Sequence, residues 1–502
     1  MSSSILSNDV IALLSDRNTI TVSTGATSAY LGDERNLREY LVADEAVKQL
    51  RSAGHVVHFL LFNDDLDALT FRQLRVAVKK DPLLIDEFEP FCGKPISGIR
   101  APYGAPGSWS QYFQDQLAQR LHALDCHPTI LNVSQMYAKG MYAPYIKQVL
   151  LHQDRILDYL AVNFAGYRPE KLFWPICPTC GYIDGGEVSE VESNSVRVTC
   201  HRCLCSTRLS FEELSGKLSW KLDCAARWAM FRIHLEPFSK AYLEPQTGSF
   251  AVAKGLATTF FGAQEVIPLL YGTVSMPKEL GYRILDSLPS SVIRAMFVRN
   301  HRTDLDLSEE RIMTEANKAE VLPGFSFTSV VKQLLPAWTC DSRDLGAFER
   351  EIYTKGLSFS RQFLGSEVQP YLPNQGDLSE IPIEILRQIQ TLIQHILILR
   401  KAYGMDYSAF MGPTKTAIEK LGGHRKSVTM ALRRLVGQSE GLPNSKFLFL
   451  LPITYLQNIE SLVDLYIRAN QGTPVTAVVR APVSPQTPPL RIIAGERYAT
   501  DH

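Results

Sequence analysis

Four cysteines fall in two pairs, Cys177-x2-Cys180 and Cys200-x2-Cys203, with 19 residues between them. Each pair offers two thiolates from one tight turn, and two such turns close a tetrahedron around a structural Zn2+, as in a two-knuckle zinc ribbon. Gly181 helps the first turn. Cys205 extends the second pair to Cys200-His201-Arg202-Cys203-Leu204-Cys205, so a ligand swap there stays open. The plain alternative is four buried thiols, and a ribbon, being a staple or a binding finger, says little about catalysis.

Carboxylates cluster in Asn63-Asp64-Asp65-Leu66-Asp67. Asp64, Asp65 and Asp67 could face a substrate amine, although acids at such positions also cap turns and helices. Trp220, Asp223, Arg227 and Trp228 could line an amino-acid or adenosine pocket. Trp220, Asp223 and Arg227 share a helical face at i, i+3 and i+7, so an ion pair with aromatic packing accounts for them almost as well. Lys420, Arg425, Lys426, Arg433 and Arg434, with His424 and no acid between, can track a phosphate backbone or simply form a solvated face. No His-Glu-x-x-His, nucleophile elbow or P-loop points to another enzyme.

These groups need elements to hold them. Residues 19–24 (TITVST) form a β-branched run ending at Gly25, and residues 36–52 follow with Leu37, Tyr40, Leu41, Val47 and Leu50 at helical spacing. The apolar run 55–62 (HVVHFLLF) reads as a buried parallel strand opening into the aspartates. Ligands sit at the carboxyl ends of strands in open parallel sheets, so Gly25 and Asp64 both lie where a site belongs. Residues 128–133 read as another strand and 146–164 as a helix. After the cysteines come a helix over 220–233, a strand over 268–271 and a helix over 290–298. From about 344 to 468 strand signals vanish and long helical patterns such as 383–401 take over.

The expected fold class is α/β, a Rossmann-type domain (1–173 and 209–300) interrupted by a zinc ribbon (174–208), with a connector (301–343), an all-α domain (344–470) and a flexible tail (471–502). Five prolines in residues 471–489 mark the tail. At 502 residues the chain has room for about three domains. Lys plus Arg number 52 and Asp plus Glu number 52, so bulk charge does not drive binding to nucleic acid or membrane. The balance conceals a surplus: residues 412–469 hold eight Lys plus Arg and four Asp plus Glu, +4, leaving −4 elsewhere. The start lacks a secretory pattern, and the apolar run 447–456 contains Pro452 and falls short of the roughly 20 residues a membrane-spanning helix needs. Nine cysteines suit a reducing compartment. The expectation is a cytoplasmic protein with no membrane contact; oligomeric state is not legible.

Asn63-Asp64-Asp65-Leu66-Asp67, then Gly93-Lys94-Pro95-Ile96-Ser97 leading to Pro102-Tyr103-Gly104, the cysteine module, and Trp220-x2-Asp223-x3-Arg227-Trp228 occur in this order. Together they resemble class I lysyl-tRNA synthetases, as does Gly437-Gln438-Ser439-Glu440-Gly441 with Pro443 and Phe447 near the end. The likeness runs from about Thr19 to Leu456. It implies a Rossmann-type class I aminoacyl-tRNA synthetase catalytic domain that activates lysine with ATP, and a helical anticodon-binding domain.

The same resemblance exposes departures. The family's first motif runs approximately Thr-Gly-x-x-Pro-Ser-Gly-x-x-His-Ile-Gly-Asn. Thr24-Gly25 and Asn36 match it, but Ser28 stands at the proline, Tyr30 at the middle glycine, Asp33 at the histidine and Arg35 at the last glycine. Asp33 puts a carboxylate where the triphosphate passes; like charges at 4 Å cost on the order of 4 kcal/mol at an effective dielectric of 20. A long Arg35 side chain fills space that glycine leaves for adenine. Ser239-Lys240-Ala241-Tyr242 replaces the family's Gly-Lys-Asp-His, keeping the lysine. Thr273-Val274-Ser275-Met276-Pro277-Lys278 lacks both KMSKS lysines at their places, and Pro277 stiffens the loop. Adenylyl transfer needs positive charge aimed at developing negative charge, so these losses predict a rate lower by orders of magnitude.

The leading expectation is therefore a lysyl-tRNA-synthetase-like protein with doubtful ATP use, defective in adenylation and repurposed to bind tRNA or use aminoacyl-tRNA. An active lysine–tRNA ligase, an amino-acid ligase of small-molecule biosynthesis and a non-catalytic tRNA-binding protein are the alternatives.

Overall fold

The computed structural model describes residues 5–32, 34–277, 283–322, 324–340, 342, 345–404, 406–437 and 444–471. The chain divides into two compact units, residues 1–285 with 290–315, and residues 286–289 with 316–502.

The first unit is built on a parallel sheet. Strands β1 (Thr19–Ala26), β2 (Val56–Asn63) and β3 (Thr129–Asn132) are joined through helices α1 (Leu37–Ser52) and α2 (Trp109–Ala123). Each helix brings the chain back to start the next strand in the same direction. After β3 come α3 (Ala143–Leu151) and α4 (Gln153–Asn163). The sequence reading expects one helix over 146–164; a non-helical His152 (φ −122, ψ 27) breaks it in two.

A small antiparallel module follows. Strand β4 (Phe173–Pro175) leads into the three-stranded sheet β5 (Gly186–Val191), β6 (Ser195–Cys200) and β7 (Ser206–Ser210), and β8 (Gly216–Leu218) returns to pair with β4. The chain then re-enters the larger sheet through α5 (Trp220–Phe231), β9 (Leu235–Ser239), α6 (Ser249–Phe260) and β10 (Ile267–Tyr271).

Strand order is β10-β9-β1-β2-β3. The chain runs outward from β1 to β3, then lays β9 and β10 on the other side of β1, which puts the topological switch between β1 and β9. Ligands of open parallel sheets bind at that crevice. β1 and β2 pair in register from Thr19–Val56 to Ala26–Asn63. β1 and β9 meet at Val22–Leu235, and among the described residues their pairing continues no further toward the carboxyl edge. β9 is hard to read from sequence because Pro237 interrupts it, and proline demotes a central strand. Below the edge, Phe62, Val133, Leu222, Ala225, Trp228 and Val252 belong to a continuous buried core that extends into the antiparallel module through Val196 and Val198.

Among the described residues the second unit is helical apart from a short hairpin, Glu320–Leu322 with Phe325–Ser326. Its helices include α7 (Ile383–Tyr403), α8 (Tyr407–Glu419), α9 (Arg425–Leu435) and α10 (Ile453–Asn470). Leu386, Ile389, Ile393 and Ile396 form the buried stripe of α7, and Leu456, Ile459 and Val463 that of α10. Each such side chain contributes about 1.5–3 kcal/mol on burial. No helix among the described residues is long and apolar enough to cross a membrane.

Candidate functional site

At the carboxyl edge of β2 the aspartates meet buried cations. Asp64 accepts from the Arg227 guanidinium of α5 and, at 3.5 Å, from the Lys217 ammonium of β8. Lys217 also bonds Asp67, whose other oxygen accepts from the Thr27 hydroxyl at 2.8 Å. Arg227 Nε pairs with Asp223 one turn earlier, and Asp223 accepts from the hydroxyls of Tyr137 at 2.8 Å and Tyr142 at 3.1 Å. The two tyrosine rings stack with centroids 3.8 Å apart. Burial alone pushes the Asp64 carboxyl up, but Arg227 and Lys217 together hold it below the usual range. These carboxylates already have internal counter-charges.

Asp65 faces elsewhere. It accepts from the backbone N–H of Ser134 at 2.6 Å and from its hydroxyl, capping the short helix Val133–Ala138. Of the remaining pocket candidates, Trp220 is 51% exposed at the start of α5, with the Tyr242 ring 5.9 Å away. Trp228 is buried and donates its indole N–H to Glu236 Oε2 at 2.6 Å. The structure thus brings Asp64, Asp67, Asp223 and Arg227 into one network and leaves Asp65, Trp220 and Trp228 in other settings.

The switch point carries two further acids. Glu236 on β9 also accepts from the Ser23 hydroxyl of β1 at 2.7 Å. Glu39 on α1 accepts from the Thr24 hydroxyl at 2.7 Å and from the Tyr271 hydroxyl at 2.9 Å. Burial lifts the Glu39 carboxyl to about 7, against the pull of these two hydrogen bonds. Among the described residues no cation pairs with it. An ammonium brought here would supply the missing counter-charge and favour the ionised acid.

Of the positions matched to ATP motifs, Gly25 lies near the end of β1, Asn36 at the start of α1 and Lys240 just after β9. A Cβ on Gly25 would meet only the Phe62 carbonyl, at 3.9 Å, so the space above β1 is open. Arg35 and Asn36 are exposed, and Asn36 starts α1 without a side-chain cap. Asp33 and Lys278 lie outside the described residues, as do 438–443 and the tail 472–502. Lys240 is exposed on the turn Lys240–Leu243 that follows β9. Side chains pin the backbone of both loops: Trp109 Nε1 donates to the Ala29 carbonyl at 2.7 Å, Arg120 to Gly32 at 2.8 Å, and the buried Arg38 to Gly272 at 3.0 Å and Asn300 at 3.1 Å.

Cys177, Cys180, Cys200 and Cys203 converge, their sulfurs all within 4.8 Å of one another, and could hold a metal ion. Gly181 (φ +75) and Leu204 (φ +60) occupy equivalent places in the two turns, each just after the second cysteine. Left-handed backbone suits glycine and strains leucine, so the second turn is held by its surroundings. Cys205 Sγ lies 3.3 Å from Cys177 Sγ, as close as Cys203 Sγ at 3.5 Å. The module docks through Gly93 (φ +98), whose missing Cβ leaves room for the Asp184 carboxylate, while the Ile183 N–H donates to the Gly93 carbonyl at 3.0 Å. Beside this junction a cavity of about 260 Å³ is lined by Asp67, Trp174, Ile183, Asp184, Lys217 and Trp220, among others.

In the second unit, Lys420, Arg425 and Lys426 are exposed around the start of α9. Arg434 pairs with Glu380, and Arg433 is half-buried.

Residues 4–287 match the family described as tRNA synthetases class I (K). The chain belongs to the class I lysyl-tRNA synthetase family. A lysine–tRNA ligase of Archaeoglobus fulgidus is 28% identical over 309 residues, 58% of this chain and 60% of that one. Lysine–tRNA ligase 1 of Methanosarcina acetivorans is 26% identical over 362 residues, 69% of this chain and 64% of that one. The chain thus spans about three-fifths of the length of these curated relatives. Among solved structures, Mycobacterium tuberculosis methionyl-tRNA synthetase in complex with methionyl-adenylate aligns at 11% identity and a TM-score of 0.32, covering 90% of this chain and 91% of that one.

The segment matched to the lysyl-tRNA synthetase family contains the sheet, the aspartates, Glu39 and the cysteines; the α9 cations lie beyond it. Three residues of the site receive no role from the sequence. Lys217 is 150 residues from its partner Asp67, and nothing in its neighbourhood announces the pairing. Glu236 sits in the strand that Pro237 disguises. Glu39 follows Arg38 at the start of α1, and nothing in its sequence neighbourhood announces a pocket role.

Proposed function

We propose that this chain binds lysine, or an amino acid with a like side-chain ammonium, at the switch point, has lost most ATP-dependent adenylation, and acts on tRNA or aminoacyl-tRNA. The observation that carries the amino-acid half is the Glu39 carboxyl between Thr24 and Tyr271, two neutral donors, with no cation partner among the described residues. A half-buried acid so placed discriminates for a cationic ligand by the free energy of its own ionisation. Asp64, Asp67 and Asp223, already paired with Lys217 and Arg227, serve as the frame beneath that pocket rather than as its amine acceptors.

The loss of adenylation rests on residue type. Asp33, Arg35, Ala241 and Pro277 replace groups that, by the family's pattern, face or close over the nucleotide, and Lys240 is the cation retained in the second stretch. The domain reading remains part of this proposal: a Rossmann-type catalytic domain in two parts, a zinc ribbon carrying one structural Zn2+ on the cysteine cluster, and a helical tRNA-binding domain. Four thiolates within one small volume fit Zn2+, whose tetrahedral preference needs no other donor. Lys420, Arg425, Lys426 and Arg434 are the exposed members of the cationic strip that would meet tRNA phosphates, Arg434 being paired with Glu380 and Arg433 half-buried.

The second reading, an active lysine–tRNA ligase, is favoured by the names of the relatives. Lysine-dependent ATP–pyrophosphate exchange separates the two, and titration calorimetry with L-lysine tests the pocket independently of ATP.

A further inference from the structure

The last turn of α2 and the loop that leads to β3 read His122-Ala123-Leu124-Asp125-Cys126-His127. It brings two exposed imidazoles edge to face, ring centroids 4.9 Å apart, with their Nδ1 atoms 3.3 Å from each other. The carboxylate of Asp125 lies 3.2 Å from the other nitrogen of His127, Nε2. That contact favours the tautomer with its proton on Nε2. With the Nε2 proton directed at Asp125, a neutral His127 presents the Nδ1 lone pair to His122.

Asp125 is itself fixed, since Lys48 bonds both its carboxylate, at 2.7 Å, and its carbonyl, at 2.9 Å. Arg294 adds a donor to the same carbonyl at 3.4 Å. The pair opens onto a depression of about 380 Å³ lined by Leu121, Cys126, Pro128 and Ile130 along with both histidines, which leaves room for water.

We propose that His122 and His127 form a second metal site, apart from the cysteine cluster, for one divalent ion of the imidazole-preferring class that includes Ni2+, Cu2+ and Zn2+. Two metal–nitrogen bonds of about 2.05 Å at a tetrahedral angle put the nitrogens about 3.3 Å apart, the separation found here. An N–H···N hydrogen bond would sit at the long end of its range at this distance. Asp125 supplies the carboxylate–histidine contact that orients metal-bound imidazoles and raises their basicity. Waters complete the sphere. Bound metal would clip the last turn of α2 to the start of β3. Both elements feed the network around Asn63, whose Nδ2 donates to Ser110 and Gln114 of α2 and to Asn132 of β3.

The test is calorimetric titration of Ni2+ into the untagged, zinc-replete full chain. The proposal expects one Ni2+ per chain, no sulfur-to-nickel charge-transfer absorption, and a melting temperature that rises with free Ni2+. His122→Ala and His127→Ala should each abolish the binding, and Asp125→Asn should weaken it by about 10- to 100-fold. All three side chains are exposed, so the variants should melt like the parent without metal. Absence of binding, equal binding by His122→Ala, or thiolate absorption reporting exchange at the cysteines would each overturn it.

Discussion

The Tyr271 hydroxyl donates to Glu39 Oε2 at 2.9 Å, tying the outermost strand β10 to α1 across the carboxyl edge of the sheet. With Thr24 on the other oxygen, the acid is hydrogen-bonded but not neutralised. Its proton leaves near 4.5 in the unfolded chain and near 7 in the folded one. Glu39 therefore contributes stability that is fully present below pH 4.5 and is lost as pH rises through 7, up to about 3 kcal/mol. Urea unfolding across this window should show the decline in the wild type and a flatter profile in Glu39→Gln.

Lysine should reverse that decline. Its ammonium pairs with the ionised acid, so affinity should rise with pH through 7 and binding should release a proton. Calorimetry in buffers of different ionisation enthalpy reads both quantities. In Glu39→Gln the proton release should vanish and affinity should fall at least tenfold, about 1.4 kcal/mol. Unchanged lysine affinity in this variant would remove the pocket from the account.

The Lys217 ammonium bridges Asp64 and Asp67. Lys217→Met leaves a buried carboxylate short of a partner and should destabilise the first unit by about 3–5 kcal/mol. Adding Asp67→Asn should restore part of the loss, because the double variant removes both ends of one pair. Strict additivity of the two substitutions in urea unfolding would show that the pair is not coupled.

The parallel sheet was legible because its strands are short apolar runs followed by helical stripes. The cysteine cluster was legible because knuckle spacing is a local signal. Less local features were hidden. Asp64 and Arg227 each carried a visible motif, but their pairing depends on α5 packing against β2, which no spacing encodes. Lys217 had no motif at all. Pro237 concealed β9 and with it the setting of Glu236, and the break at His152 left the apolar periodicity of 146–164 intact.

Metal content distinguishes the sulfurs. Cys177→Ser should lower zinc bound at the cluster and the melting temperature together, and a strong chelator should do the same to the wild type. Comparison of Cys203→Ser with Cys205→Ser identifies the fourth ligand: the substitution that lowers zinc stoichiometry marks it. Equal retention of zinc in both variants means that the two thiols substitute for each other, as their near-equal distances to Cys177 allow.

Charge reversal at Arg425 and Lys426 should weaken tRNA binding and lower the slope of log affinity against log salt by about 0.9 for each phosphate contact removed. Filter binding at several salt concentrations measures that slope. Weaker binding with an unchanged slope would place the phosphate contacts elsewhere.

The most direct measurement is lysine-dependent ATP–pyrophosphate exchange by the purified full chain, run beside one of the lysine–tRNA ligases it resembles. L-lysine should bind by calorimetry while exchange stays at least two orders of magnitude below the relative's rate. Exchange at a rate comparable to the relative's would contradict the loss of adenylation and establish a working lysine-activating enzyme despite Asp33, Arg35, Ala241 and Pro277.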